Sequence, residues 1–259
     1  MSGVLDGILA RKAEEILALR KRSFPTGPEP RPLGLRRAPG ESLRLITEIK
    51  RRSPSAGALS TKLGVAARAA AYERAGSTML SVLTDERFFD GAFEHLALAR
   101  AATKLPILCK EFVLDEVQLD AARAFGADAV LLIVKILSPE RLSSLIRAAR
   151  ERGLTPFVEV VDETEARIAL EAGATLVGVN ARDLDTLKMD PVRASRTVAG
   201  LPDGVTAVHL SGLGTPEAVV EIARGFADAA LVGEALMRED DPEPLLRKLV
   251  AAASQGRTT

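Results

Sequence analysis

"AVLLIVKILSPERLSSLIRAARERG", residues 129–153, decides the fold. It begins as an unbroken run of Val, Leu and Ile, as expected of a strand buried on both faces. It continues with Arg and Glu set among apolar residues at helical spacing. A single strand-then-helix unit permits a parallel connection; a series of them fixes the architecture. Outward from this unit the alternation recurs. The strand candidates are "LRLITEIK" ending at Lys50, "TMLSVL" at Leu83, "PILCK" at Lys110, "AVLLIVK" at Lys135, "TPFVEV" around Glu159, "TLVGVN" at Asn180, "TAVHLS" at Ser211 and "AALVG" at Gly233. Eight units, roughly 20 to 35 residues apart, fit a (β/α)8 TIM barrel. An open doubly wound sheet has no need of eight regular repeats.

Ahead of these units, Leu5, Ile8, Leu9, Ile16 and Leu17 recur at helical spacing among charges, and "FPTGPEPRPLGLRRAPG" (24–40) then breaks the pattern. Residues 1–42 are therefore read as an N-terminal helical extension and loop on a single barrel domain spanning 1–259.

Composition limits what such a barrel can do. The chain is 47% hydrophobic and 27% charged, a globular balance, and its length is sufficient for a substantial core. Its formal net charge is zero, so no basic field draws it to nucleic acid or to an anionic membrane. An anionic ligand must then be held by a local site. The longest strongly apolar run, "AVLLIV", is too short to span a bilayer, and the charge-studded N-terminus does not read as a secretory signal. A cytoplasmic monomer acting on a small molecule is expected. The only cysteine, Cys109, sits in an apolar run as core filling. His95 and His209 have no Cys or His neighbours at ligand spacing, so no metal is expected.

Barrel enzymes carry their chemistry at the C-terminal ends of the strands, and here those ends hold Lys50, Lys110, Lys135, Glu159, Asn180 and Ser211. Residues two apart share a face of a strand, so Glu48 can pair with Lys50, and Asn180 with Arg182 if the strand continues. Plain structural ion pairing is the alternative account of Glu48 and Lys50. The last two strand ends differ in character. "LSGLGTPEA" (210–218) joins a glycine turn to Thr215, Pro216 and Glu217, which suit a helix start, and Gly233 leads directly into a helical pattern. Loops at these positions commonly cradle phosphate. No arginine cluster appears in either, so backbone donors are expected to carry the anion. Phe89, Phe112, Leu131, Leu184 and Leu231 could line a pocket for a flat ring, although each alone reads as ordinary core. In a chain with only 3% aromatics, two phenylalanines near the rim stand out.

"EIKRRSPSAG" (48–57), "SVLTDERFFDGAFEHL" (81–96), "LPILCKEFV" (105–113), "FGADAVLLIVKIL" (125–137), "EVVDETEARIALEAGATLVGVNARDLDTL" (159–187) and "LVGEALMR" (231–238) occur in an order and spacing that resemble the indole-3-glycerol phosphate synthase family of tryptophan biosynthesis. The resemblance runs from about Leu43 to the C-terminal helix. It implies closure of the indole ring of 1-(o-carboxyphenylamino)-1-deoxyribulose 5-phosphate with loss of carbon dioxide and water, without metal or organic cofactor. By that resemblance Lys110 matches the general acid and Glu159 the acid–base group of the dehydration. Glu48 and Lys50 match the Glu/Lys pair of the first strand, and Asn180, Arg182 and Ser211 the residues that orient substrate. Ser53 falls among the substrate-binding residues, and Gly212, Gly233 and Glu234 fall where phosphate is held. Burial and nearby cations, Lys50 foremost, are expected to lower the Lys110 pKa toward neutrality.

One departure is plain: the family's Glu-Ser-Gly at the end of the seventh strand is Leu210, Ser211 and Gly212 here, with His209 beside the missing carboxylate. Glu111 after Lys110, where the family often has aspartate, is a milder change. Two other readings stay open. One is an aldolase-type barrel using Lys110 or Lys135 as a Schiff-base nucleophile. The other, which Leu210 favours, is an impaired or repurposed barrel that binds a phosphorylated ligand.

Overall fold

Eight parallel strands close into a barrel in the computed structural model, which describes residues 4–54 and 56–255. They are β1 (Arg44–Ile49), β2 (Met79–Leu83), β3 (Ile107–Lys110), β4 (Ala129–Ile133), β5 (Thr155–Val160), β6 (Leu176–Asn180), β7 (Thr206–Leu210) and β8 (Ala229–Val232). Each lies beside the next in the chain, and β8 closes on β1 with Arg44 opposite Ala229. Helices α1 (Val65–Arg74), α2 (Phe93–Ala102), α3 (Glu116–Ala124), α4 (Pro139–Glu151), α5 (Glu163–Glu171), α6 (Pro191–Ala199), α7 (Pro216–Arg224) and α8 (Glu243–Ala253) follow the strands in turn.

Alternation along the strands separates two cores. Ile46, Met79, Leu108, Leu131, Phe157, Val208, Leu210 and Leu231 fill the barrel interior, whereas Leu45, Leu80, Cys109, Val130, Val158 and Val177 pack outward against the helices. A strand buried on both faces has no polar side to display, which is why these runs read as continuous Val, Ile and Leu. Side-chain caps set the helix starts: Ser138 accepts from the Arg141 N–H, Asp162 from Thr164 and Glu165, and Thr215 from Ala218.

The extension Val4–Leu19 is helical and lies over the mouth of the barrel, where Leu5 and Ile8 join the interior cluster with Phe112, Leu131 and Leu231. It is fastened by Lys12, whose side chain is 1% exposed and whose ammonium lies 2.6 Å from Glu15, 2.9 Å from Asp85 and 2.8 Å from Glu111.

Four strands stop short of their expected ends, β1 at Ile49 and β8 at Val232 by a single residue and the other two as follows. β4 stops at Ile133, and a single 3-10 turn, Val134–Ile136, carries Lys135 sideways to Asp183 (3.2 Å) and Asp185 (2.7 Å). β7 stops at Leu210, after which Ser211 and Gly212 both take left-handed backbone, φ 70° and 80°. Glycine adopts that conformation freely, while for Ser211 it is a strained placement beside the cavity.

Candidate active site

A cavity of about 470 Å³ opens at the C-terminal ends of the strands, within the usual size for a small-molecule site. Of the residues singled out from the sequence, Glu48, Lys50, Ser53, Phe89, Lys110, Phe112, Leu131, Glu159, Asn180, Arg182, Leu184, Ser211, Gly212, Leu231, Gly233 and Glu234 line it. Lys135 does not, so a Schiff-base role for Lys135 loses its structural footing. Leu5 and Ile8 from the extension, Leu187, Leu213, Gly214 and Arg238 line it as well and were not expected there.

The polar groups form two linked sets on the barrel floor. Lys50 Nζ lies 2.6 Å from Glu48 Oε1, and the Ser81 hydroxyl, one strand over and in register with Glu48, donates to Oε2 at 3.4 Å. Lys110 Nζ lies 2.8 Å from Glu159 Oε2. The other oxygen of Glu159 accepts from Asn180 Nδ2 (2.9 Å), and Asn180 Oδ1 accepts from the Arg182 N–H (3.0 Å) and the Ser211 hydroxyl (2.8 Å). The chain of bonds from Lys110 to Ser211 thus crosses β3, β5, β6 and the end of β7 and fixes which way the Asn180 amide faces. Glu48 and Glu159 are only 4% and 2% exposed. Carboxylates so deeply placed require cation partners, since removing either partner leaves an uncompensated buried charge.

The electrostatics correct one expectation. Burial pulls the Lys110 ammonium down, but Glu159 and Glu48 outweigh it, and its pKa is raised above the ordinary lysine value rather than lowered. The neighbours that decide the sign are carboxylates on other strands, not Lys50. Burial likewise pushes Glu48 up, and Lys50 and Lys110 reverse this and hold its carboxyl below the ordinary glutamate value. Both groups are therefore ionised across neutral pH. His209 cannot supply the carboxylate that Leu210 lacks. It stands on the outward face of β7, opposite to Val208 and Leu210, and burial drops its pKa to about 4, leaving a neutral ring.

One wall is apolar. The rings of Phe89 and Phe112 lie 6.1 Å apart, tilted by 35°, facing Leu131, Leu184 and Leu231, with Leu5 and Ile8 above. Phe89 rides on the short helix Glu86–Phe89, capped by Asp85, and Phe112 follows Glu111, so two of the three carboxylates that hold Lys12 also flank the residues shaping this wall. The opposite end is polar. Gly212, Gly214, Gly233 and Glu234 present backbone there, together with the side chains of Arg182 and Arg238. Arg238 pairs with Glu234 at 2.7 Å and Arg182 approaches it to 4.0 Å. Guanidinium groups thus lie beside the backbone donors expected to carry most of an anion's binding. Among the described residues, no three His, Cys, Asp or Glu side chains are grouped as metal ligands would be. A cavity with an aromatic wall, an ammonium between two carboxylates and a glycine- and arginine-lined end suits a flat, anionic, phosphorylated molecule undergoing proton transfer.

A family model described as indole-3-glycerol phosphate synthase matches residues 8–249. The protein of that name from an Exiguobacterium species is 44% identical over 245 residues, 95% of each chain. The one from Kineococcus radiotolerans is 45% identical over 258 residues, 98% of this chain and 94% of the other. Among solved structures, 3-hexulose-6-phosphate synthase from Salmonella typhimurium superposes with a TM-score of 0.65 at 17% identity, covering 82% of this chain and 98% of that one. Thiamine phosphate pyrophosphorylase from Pyrococcus furiosus gives 0.63 at 17% identity, covering 83% and 96%. These two show the barrel fold alone.

Proposed function

On the premise that the chain belongs to the indole-3-glycerol phosphate synthase family and is an enzyme of that activity, a decarboxylating lyase of tryptophan biosynthesis, we infer how its residues divide the reaction. Lys110 is the general acid: its ammonium protonates the carbonyl oxygen of the substrate's sugar chain as the anthranilate ring carbon attacks. Glu159, paired with it, serves the later loss of water as acid and base. Glu48 holds Lys50 in place, and Lys50 meets the substrate's carboxylate until carbon dioxide leaves. Asn180, Ser211 and Arg182 orient the sugar chain, Ser53 contacts the substrate from the loop after β1, and the apolar wall presses the ring toward the carbonyl. Gly212, Gly233 and Glu234, with Arg182 nearby, hold the phosphate.

The observation that carries this reading is the Lys110–Glu159 pair at 2.8 Å, seated between the apolar wall and the phosphate end. A charged ammonium held up by two carboxylates supports a proton donor and disfavours a Schiff-base nucleophile, which must be neutral. The test is turnover of the purified protein on the synthetic substrate, read from indole fluorescence. Absence of product, together with imine trapping by borohydride, would transfer the site to the aldolase-type reading.

A pH profile tests the sign of the Lys110 shift. Because its folded-state pKa is raised, the ammonium persists through neutral pH and is lost only as pH rises through and above the ordinary lysine value of 10.5. Glu48, depressed, stays charged down through weakly acidic pH. kcat/KM, which reports the free enzyme, is therefore expected to be flat from neutrality to about pH 9. An alkaline limb assignable to Lys110 near pH 8 would overturn this.

Leu210 is 2% exposed, opposite Asn180 and Leu231 in register. Both site lysines already have carboxylate partners without it, so Glu48 and Glu159 suffice for the dehydration. The chain as it stands turns over, and Leu210→Glu changes the rate by less than about tenfold, 1.36 kcal/mol. Undetectable turnover that Leu210→Glu restores would show that the missing carboxylate is needed.

The same reading makes the protein a cytoplasmic monomer whose partner is its small phosphorylated substrate. Among the described residues no helix is long and apolar enough to cross a membrane.

A further inference from the structure

Outside the barrel wall, away from the cavity, helix α1 carries two buried polar side chains that the reaction above does not use. Arg68, 1% exposed, reaches to the segment that follows β8. Its Nη1 donates to the Leu236 carbonyl at 3.0 Å and its Nη2 to the Glu239 carbonyl at 3.1 Å. One turn along α1, the Tyr72 hydroxyl donates to the carbonyl of Glu48 at 3.3 Å and lies 3.6 Å from Met237 Sδ. The Arg68 guanidinium sits 6.0 Å from the Tyr72 ring centre. The Ser60 N–H, in the loop before α1, donates to the Met237 carbonyl at 2.9 Å. The carbonyls that close the short helix Glu234–Arg238 are thereby tied to α1 and its loop, while Gly233 and Glu234, which open it, face the cavity.

Space filling does not account for Arg68. A buried guanidinium is costly to desolvate, and among the described residues this one has no carboxylate partner at bonding distance and its Nε–H finds no hydrogen-bond acceptor. An apolar side chain would fill the volume more cheaply. What Arg68 uniquely supplies is a planar fork that takes two carbonyls from one segment in fixed geometry. The helix between those carbonyls and the cavity has 5 residues, about 7.5 Å of rigid backbone, so displacing its far end displaces its near end too.

We propose that Arg68 is a positioning residue for the phosphate end of the substrate: through the carbonyls of Leu236 and Glu239 it sets where the backbone of Gly233 and Glu234 stands. The proposal rests on the phosphate assignment above. Lys110 and Glu159 hang from other strands and keep their places without it.

The experiment compares parent, Arg68→Met and Arg68→Lys for kcat, KM and the inhibition constant of inorganic phosphate, with circular dichroism to confirm folding. In Arg68→Met, which keeps the stem and loses the fork, KM and the phosphate inhibition constant rise together by roughly tenfold while kcat stays within about threefold. Arg68→Lys keeps one donor direction and falls between the two. Should Arg68→Met fail to fold, Arg68→Lys alone decides, with an expected rise of roughly threefold in both constants. A role in stability alone would lower the melting temperature and leave phosphate inhibition unmoved, and unmoved inhibition in a folded variant overturns the proposal. If inorganic phosphate does not compete with substrate in the parent, the phosphate assignment itself fails and the proposal falls with it.

Discussion

Lys110→Met lowers turnover at least about a hundredfold and leaves substrate affinity within roughly tenfold, the pattern of a group that acts mainly in the transition state. Methionine preserves most of the stem, so the apolar wall beside Phe112 and Leu131 keeps its shape. What disappears is the ammonium 2.8 Å from Glu159 and the charge that helps hold Glu48 ionised. Glu159 then keeps only its bond from Asn180, and its carboxyl, 2% exposed, loses its cation. A buried carboxylate left without its cation impairs the dehydration as well as ring closure. Steady-state kinetics on the purified variant, beside its melting temperature, separate lost chemistry from lost fold. Turnover within tenfold of the parent would remove Lys110 from the acid's role.

Gly233→Val is expected to raise KM for substrate and the inhibition constant of inorganic phosphate together, by about tenfold or more, and to lower turnover as well. A Cβ at Gly233 would stand 2.6 Å from Glu48 Oε1 and 3.2 Å from Glu48 Cβ, inside normal contact. Backbone φ is not the obstacle here, because −122° suits any residue. The obstruction is the cavity floor itself, since Glu48 must yield and take its pairing with Lys50 along. The end proposed for phosphate and the Glu48–Lys50 pair thus meet at one glycine. Phosphate inhibition equal to the parent's would place the anion on other loops.

The barrel was legible because its strands are buried on both faces, so Val, Ile and Leu dominate the runs, and six of the eight end at or beside a polar residue an ordinary core would not hold. The cavity-lining polar groups followed from that count and from period-two alternation, which put Glu48 beside Lys50. What escaped depends on contacts between distant segments. Lys12 sits among charges on an amphipathic helix and looks solvated, yet it is 1% exposed with Asp85 and Glu111 as partners. Leu5 and Ile8 have helical spacing but nothing in it names Phe112 and Leu231 as their neighbours. The direction of the Lys110 shift was misread for the same reason: sequence shows chain neighbours, and the two deciding carboxylates lie across the barrel on β1 and β5. Arg238 lies beyond the glycine turn where an anion site was sought, one helical turn along from Glu234.

The fastening of the first helix by Lys12 also sets an order of events in folding. The helix precedes the barrel strands in the chain, but Asp85 follows β2 and Glu111 follows β3, so its docking site exists only once those strands have paired. Closing so long a loop costs chain entropy before any contact repays it, and Lys12 gains nothing by leaving water until both carboxylates wait for it. Capping the mouth is then a late step, after the barrel wall has formed. A chain halted just before it would carry the whole sheet and nearly all of its helical content while Leu5 and Ile8 still hung free of the apolar wall. Refolding followed by circular dichroism should accordingly reach its end point ahead of refolding followed by enzyme activity.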